Sequence, residues 1–144
     1  GGDSDIEQKE KFDRVDDSVC AVRSALQEGI LPGGGLALWR LSPDLEQDCD
    51  HPEEDIANRI LHAALRAPLL QIMENAGLDG ESIMDQPDLI DNTHGFDVKN
   101  EKYGDMYKMG VIDPLKVTKN ALINAVSVAT TILSTDAIVT HARA

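Results

Sequence analysis

From Val15 onward, Val15, Val19, Val22 and Leu26 recur at spacings of four, three and four, which is one face of an α-helix. The same interval organises most of the chain. Ile56, Ile60, Leu61, Ala64 and Leu65 follow it, and Leu69, Ile72, Met73 and Ala76 continue it. Leu115, Leu122, Val126, Ala129 and Leu133 form a third set. A chain that places its apolar residues this way must bury helix stripes against other helices. Composition points the same way. Hydrophobic residues are 42% of the chain but aromatics only 3%. Its core therefore rests on Leu, Ile, Val, Ala and Met, not on the aromatic and β-branched residues that strands favour.

Glycine and proline punctuate the pattern. The first helix is predicted from about Asp5 to Glu28, with Gly29 as its stop. Pro32-Gly33-Gly34-Gly35 reads as a tight turn. A second helix follows with Leu36, Leu38, Trp39, Leu41 and Leu45, and the acidic stretch from Asp44 to Asp55 reads as a loop. Pro52 suits the first turn of a third helix, and Glu53, Glu54 and Asp55 suit its dipole. Pro68 is expected to break or restart that helix. A short helix fits around Glu81 to Asp85, and residues 95–98 and 103–106 fit the strands of a hairpin. Asp113 as N-cap and Pro114 at the first helical position open a final helix to about Ser134. Ala121, Ala125 and Val128 widen its apolar face, which predicts a central, buried position. Ala137 to Thr140 read as a terminal strand.

Charge and cysteine content exclude several classes. The net charge is −13 with no Lys/Arg-rich patch, which argues against a nucleic-acid partner. Two cysteines, Cys20 and Cys49, do not make a disulfide framework. No apolar run reaches the roughly 18 residues that span a bilayer, so no membrane partner is expected. Cys49 and His51 are close, but His62, His94 and His141 are scattered and no second ligand pair completes a zinc pattern. No metal ligand is assigned.

A set of ordered motifs goes further than periodicity. Lys9-Glu10-Lys11 precedes Asp13-Arg14-Val15-Asp16-Asp17, and Gln27-Glu28-Gly29-Ile30-Leu31-Pro32-Gly33-Gly34-Gly35 follows. Then come Ala67-Pro68-Leu69-Leu70-Gln71-Ile72, Asn75-Ala76-Gly77 and Gly110-Val111-Ile112-Asp113-Pro114-Leu115-Lys116-Val117-Thr118. Asn124-Ala125-Val126-Ser127-Val128-Ala129 closes the series. In order and spacing this series resembles the group I (bacterial-type) chaperonins across almost the whole chain. The resemblance implies a mainly α, multihelical fragment of the equatorial domain with a small β-hairpin and a terminal β-strand. Residues 1–28 would be an intermediate-domain segment and connecting helix, and 29–144 the C-terminal half of the ATP-binding equatorial domain. The family's GDGTT phosphate loop, its metal-binding aspartate and its apical domain have no counterpart in these 144 residues.

The resemblance also assigns residues. Asp17 matches the catalytic carboxylate that orients the attacking water, a role suited to an acceptor able to align or deprotonate it. Taken without that context, Asp16 and Asp17 read as solvated helix charges. Gly33, Gly34 and Gly35 match the loop against the sugar and base of ATP, and read otherwise as an interhelix turn. Asp113 matches a nucleoside contact and can cap a helix as well, since a carboxylate has two oxygens. Asp97, Val98 and Lys99 match the hairpin residues flanking adenine, where the family usually has Asn-Ala-Ala. Asp97 lacks the NH₂ donor of that amide, whereas backbone contacts do not depend on it.

The implied function is that of an ATP-dependent folding chaperonin in a homo-oligomeric ring. The cofactors are ATP and Mg²⁺, the metal being held by the missing N-terminal half. Unfolded proteins and the lid co-chaperonin would bind through the missing apical domain. The expected location is the bacterial cytosol or an organelle matrix, and the fragment alone is expected to be inactive as an ATPase. The rival reading is a non-enzymatic helical interaction module of chaperonin ancestry.

Overall fold

A computed structural model describes residues 1–45, 51–86, 91–137 and 139–140. The chain is mostly helical with a few short strands, and it divides into two compact units. One comprises Gly1–Gly29 with Pro114–Ala144, the other Ile30–Asp113.

The first unit pairs α1 (Asp5–Glu28) with α6 (Leu115–Leu133). Ser4 caps α1 by accepting the Glu7 N–H at 3.2 Å, and the Glu7 carboxylate accepts the Asp3 N–H at 2.8 Å. Together they satisfy two donors at the helix start. Glu7–Lys11 and Glu10–Arg14 ion pairs at i,i+4 support the exposed face. Gly29 ends the helix with φ 94°, and its N–H bonds the Ala25 carbonyl at 2.8 Å. At that end Lys116 donates to Gln27 at 2.6 Å, Lys119 pairs with Glu28, and the Leu115 N–H reaches the Gly29 carbonyl at 3.1 Å.

Neither helix of this unit buries a residue completely. Val126 is 42% exposed and Leu26 83%. The central position expected for the last helix is therefore not what the structure shows. The apolar face is present, but two helices side by side cannot cover each other's stripes, and within this unit the described residues supply no third layer. The expected terminal strand is likewise absent at Ala137, Val139 and Thr140, where no ladder partner is present; Ile138 lies outside the described residues.

The second unit contains β1 (Ile30–Pro32), α2 (Leu36–Leu41) with a 3₁₀ turn (Ser42–Leu45), α3 (Pro52–Asn75) and α4 (Gly80–Met84). It continues through β2 (His94–Asp97), β3 (Lys102–Asp105), α5 (Met106–Met109) and β4, which spans Ile112–Pro114 and so reaches the unit boundary. Strands β2 and β3 form an antiparallel hairpin in the register His94↔Asp105, Gly95↔Gly104, Phe96↔Tyr103 and Asp97↔Lys102, while β1 pairs with β4.

Helix α3 runs unbroken through Pro68. The break expected there does not occur. Leu65 and Leu69 on either side of Pro68, with Met73 one turn on, are all buried, and that packing offsets the one hydrogen bond that proline removes. Leu69 and Met73 join Leu36, Met84 and Met106 in the core. Arg66 lies 4.2 Å over the Trp39 ring and reaches the Glu81 carboxylate at 2.5 Å, so one side chain ties α3 to both α2 and α4. Asp113 proves to be a residue of β4 and not an N-cap. The cap position of α6 is Pro114, one residue later, with no side-chain cap bond.

Candidate functional site

The second unit holds a cavity of about 580 Å³, within the usual range for small-molecule sites. Its walls are apolar, from Leu36, Leu69, Met73, Phe96, Met106 and Val111. Gly34 borders it on one side, and Asp97, Val98, Lys99 and Asn100 from the hairpin turn on another.

The glycine turn is placed by both its neighbours and its conformation. The Gly33 N–H donates to the Val111 carbonyl at 2.9 Å, which holds the turn beside the strand that carries Asp113. Gly35 adopts φ 79°, and a Cβ there would lie 2.8 Å from the Leu69 backbone nitrogen. Only glycine lets the turn approach α3 so closely while in the left-handed region. The Asp113 carboxylate lies near the Gly34 N–H. Burial raises the pKa of Asp113 above the ordinary value, and the Gly34 N–H pulls it back in part.

The hairpin turn is organised by Asp97. One carboxylate oxygen accepts the Lys99 N–H at 2.9 Å and the Asn100 N–H at 3.4 Å, and the other accepts the Asn100 side-chain NH₂ at 2.5 Å. The Asn100 bond holds the carboxyl below the usual carboxylate range; partial desolvation opposes this, and the backbone N–H groups and the Lys99 charge reinforce it. Asp97 is therefore an anion throughout the neutral range.

The structure thus brings Gly34, Asp97, Val98 and Lys99 onto one cavity, with Gly33 and Gly35 in the same turn and Asp113 near Gly34. Asp17 belongs to the other unit, on the exposed surface of α1. Asn100 was not singled out by sequence, although an Asp followed three residues later by Asn in a hairpin turn is a legible signal for a side-chain-organised loop. The apolar lining was also missed, because periodicity marks buried faces without separating core from cavity wall. Among the described residues no three His, Cys, Asp or Glu side chains gather as a metal-binding group. His51 and His62 lie on α3 or at its start, and the His94 ring nitrogen Nδ1 is 3.9 Å from Asp91. Cys49 and His141 lie outside the described residues.

The model of the TCP-1/cpn60 chaperonin family matches residues 1–143. The chain belongs to this family. Chaperonin GroEL 2 of Cereibacter sphaeroides is 43% identical over 98% of the chain, which supports the group I, bacterial-type assignment. The chain spans only about a quarter of that relative's length, 26%. Among solved structures, the crystal structure of a group III chaperonin in the open state matches 81% of this chain with a TM-score of 0.68 and 28% identity. The match takes in 25% of that chaperonin's chain. No helix among the described residues of this chaperonin chain is long and apolar enough to cross a membrane.

Proposed function

We propose that this chain is part of an ATP-dependent chaperonin that assists protein folding in a homo-oligomeric ring in the cytosol or an organelle matrix. Residues 1–28 are assigned to the intermediate domain and 29–144 to the C-terminal half of the equatorial domain. The observation that carries the reading is the cavity of the second unit. It joins Gly34 to the Asp97–Asn100 turn, segments more than 60 residues apart, and Asp113 lies near its glycine edge.

In this reading the apolar walls take the flat faces of the base, which gains from leaving water. Gly34 offers close backbone approach to the sugar. Asp113 accepts from a sugar hydroxyl through its carboxylate oxygens. Val98 and Lys99 flank the base through the hairpin backbone. Asp17 aligns the attacking water as a general base. The phosphates need charge neutralisation from elsewhere in the complete subunit. Mg²⁺ is the metal of this reading, held by the N-terminal half of the complete subunit; among the described residues no three His, Cys, Asp or Glu side chains gather to hold a metal ion. Unfolded protein and a lid co-chaperonin engage parts of the subunit outside this chain.

The test of the catalytic assignment is single-turnover ATP hydrolysis and ATP affinity in the complete subunit with Asp17→Ala. A group that positions water acts in the transition state, so turnover should fall roughly 10²-fold or more, with ATP affinity nearly unchanged. Near-normal hydrolysis in the variant would remove Asp17 from the mechanism.

A further inference from the structure

All four methionines of the chain stand in the second unit, and α5 carries two of them. Met73, Met84 and Met106 are buried in the core, whereas Met109 packs against it and is partly exposed. Met106 and Met109 are three residues apart, which puts them on one face of α5. That face meets the hairpin at a pair of glycines. Gly95 and Gly104 are opposite each other in the register, so the side chains they lack would point to the same face of the two strands. A Cβ at Gly95 would lie 3.0 Å from Met106 Sδ, and one at Gly104 would lie 3.3 Å from Met109 Sδ. The two sulfurs therefore rest in the space that the glycines leave open. Asp97 follows Gly95 by two residues and is buried on the same face. Met109 also borders the cavity, as do the residues of the Asp97–Asn100 turn.

We propose that Met109 is a reversible oxidation site whose sulfoxide withdraws α5 from the hairpin and so loosens the cavity wall at Asp97 to Asn100. The oxidant is a peroxide. A lone pair of the thioether sulfur attacks one oxygen of hydrogen peroxide. The S–O bond forms, the O–O bond breaks, and the departing oxygen leaves as water with both protons. Sulfur loses two electrons and the peroxide gains them. The product is a polar group on what was a flexible apolar side chain. An oxygen on a sulfur seated against the hairpin needs a hydrogen-bond donor, and turning to water for one takes the side chain off Gly104. Met73, Met84 and Met106 are shielded by the core. Reduction by a methionine sulfoxide reductase restores the contact. None of this depends on what occupies the cavity.

The test is hydrogen peroxide treatment of the folded 144-residue chain, with Cys20 and Cys49 alkylated beforehand. Peptide mass mapping follows the four methionines, and amide chemical shifts follow the hairpin, for the wild type and Met109→Leu, which keeps the apolar volume. Met109 should gain its oxygen at least about tenfold faster than the other three, which react only when the packed unit opens. With it, the amides of Gly104 and of Asp97 through Asn100 should shift, and methionine sulfoxide reductase should return them. Met109→Leu should show none of these shifts under the same exposure. The wild-type measurements stand by themselves, and the variant assigns the shifts to this sulfur. Comparable oxidation rates at all four methionines would overturn the proposal. So would oxidation of Met109 that leaves the hairpin amides unmoved, or the same shifts in Met109→Leu.

Discussion

Gly35→Ala should destabilise the second unit far more than Gly34→Ala, although the two glycines are neighbours with similar backbone angles. Both have positive φ, 79° at Gly35 and 66° at Gly34. Forcing an alanine into the left-handed region costs about 1–2 kcal/mol at either position. The surroundings separate them. A Cβ on Gly35 would sit 2.8 Å from the Leu69 nitrogen, 3.1 Å from its Cα and 3.2 Å from its Cβ. These are atoms in the middle of α3, which cannot yield without moving the helix. Overpacking of this kind adds about 1–3 kcal/mol. A Cβ on Gly34 would meet only the Met106 terminal methyl, at an ordinary 3.7 Å. The expected losses are therefore about 2–5 kcal/mol for Gly35→Ala and about 1–2 for Gly34→Ala. Urea denaturation reports them, with the single tryptophan, Trp39 on α2, as a fluorescence probe inside the same unit. Equal midpoints for the two variants would refute the close approach of the glycine turn to α3.

Met73→Ala, at a core residue 2% exposed, should cost about 2–5 kcal/mol in thermal or urea melting. Val126→Asp, on the open face of α6, should stay within about 0.5 kcal/mol of wild type in this chain, and a loss several times larger would show that α6 is covered. Asp113→Asn addresses pH. Burial raises the folded-state pKa of this carboxyl, so its folding contribution is most favourable at low pH and is lost as pH rises through that value. The amide keeps the side chain's shape without the charge that burial disfavours, so the variant should melt higher than wild type at pH 7 and show no such gain at pH 3. A lower melting temperature at pH 7 would contradict the burial argument.

Helix α1 was legible to the residue because local chemistry decides both its ends: Ser4 caps one and Gly29 terminates the other. The hairpin was legible from its two short runs, although both strands begin and end one residue before the expected 95–98 and 103–106, and Met106 opens α5 instead. Other features depended on distant atoms. Pro68 obeys the helix-breaking rule in isolation, but Leu65, Leu69 and Met73 hold the helix through it, and only the packed unit shows that. Asp113 has the composition of an N-cap, yet pairing of β1 with β4 extends the strand through Pro114 and shifts the helix start. The wide apolar face of α6 states that the helix needs cover, not whether the covering atoms lie in this chain. At the candidate site, the residues singled out by motif fell on or beside one cavity, apart from Asp17 in the other unit. Asn100 was missed because its place depends on the bond to Asp97, a geometric fact that spacing only hints at.

The central claim is that the cavity of the second unit is a nucleoside site, and mapping amide chemical shifts during ATP titration of the 144-residue chain tests it most directly. The account predicts that the largest shifts fall on Gly34, on Asp97 through Asn100 and on Val111 through Asp113, with α6 unaffected. Shifts concentrated instead around Trp39, Arg66 and Glu81, or none at saturating nucleotide, would contradict it.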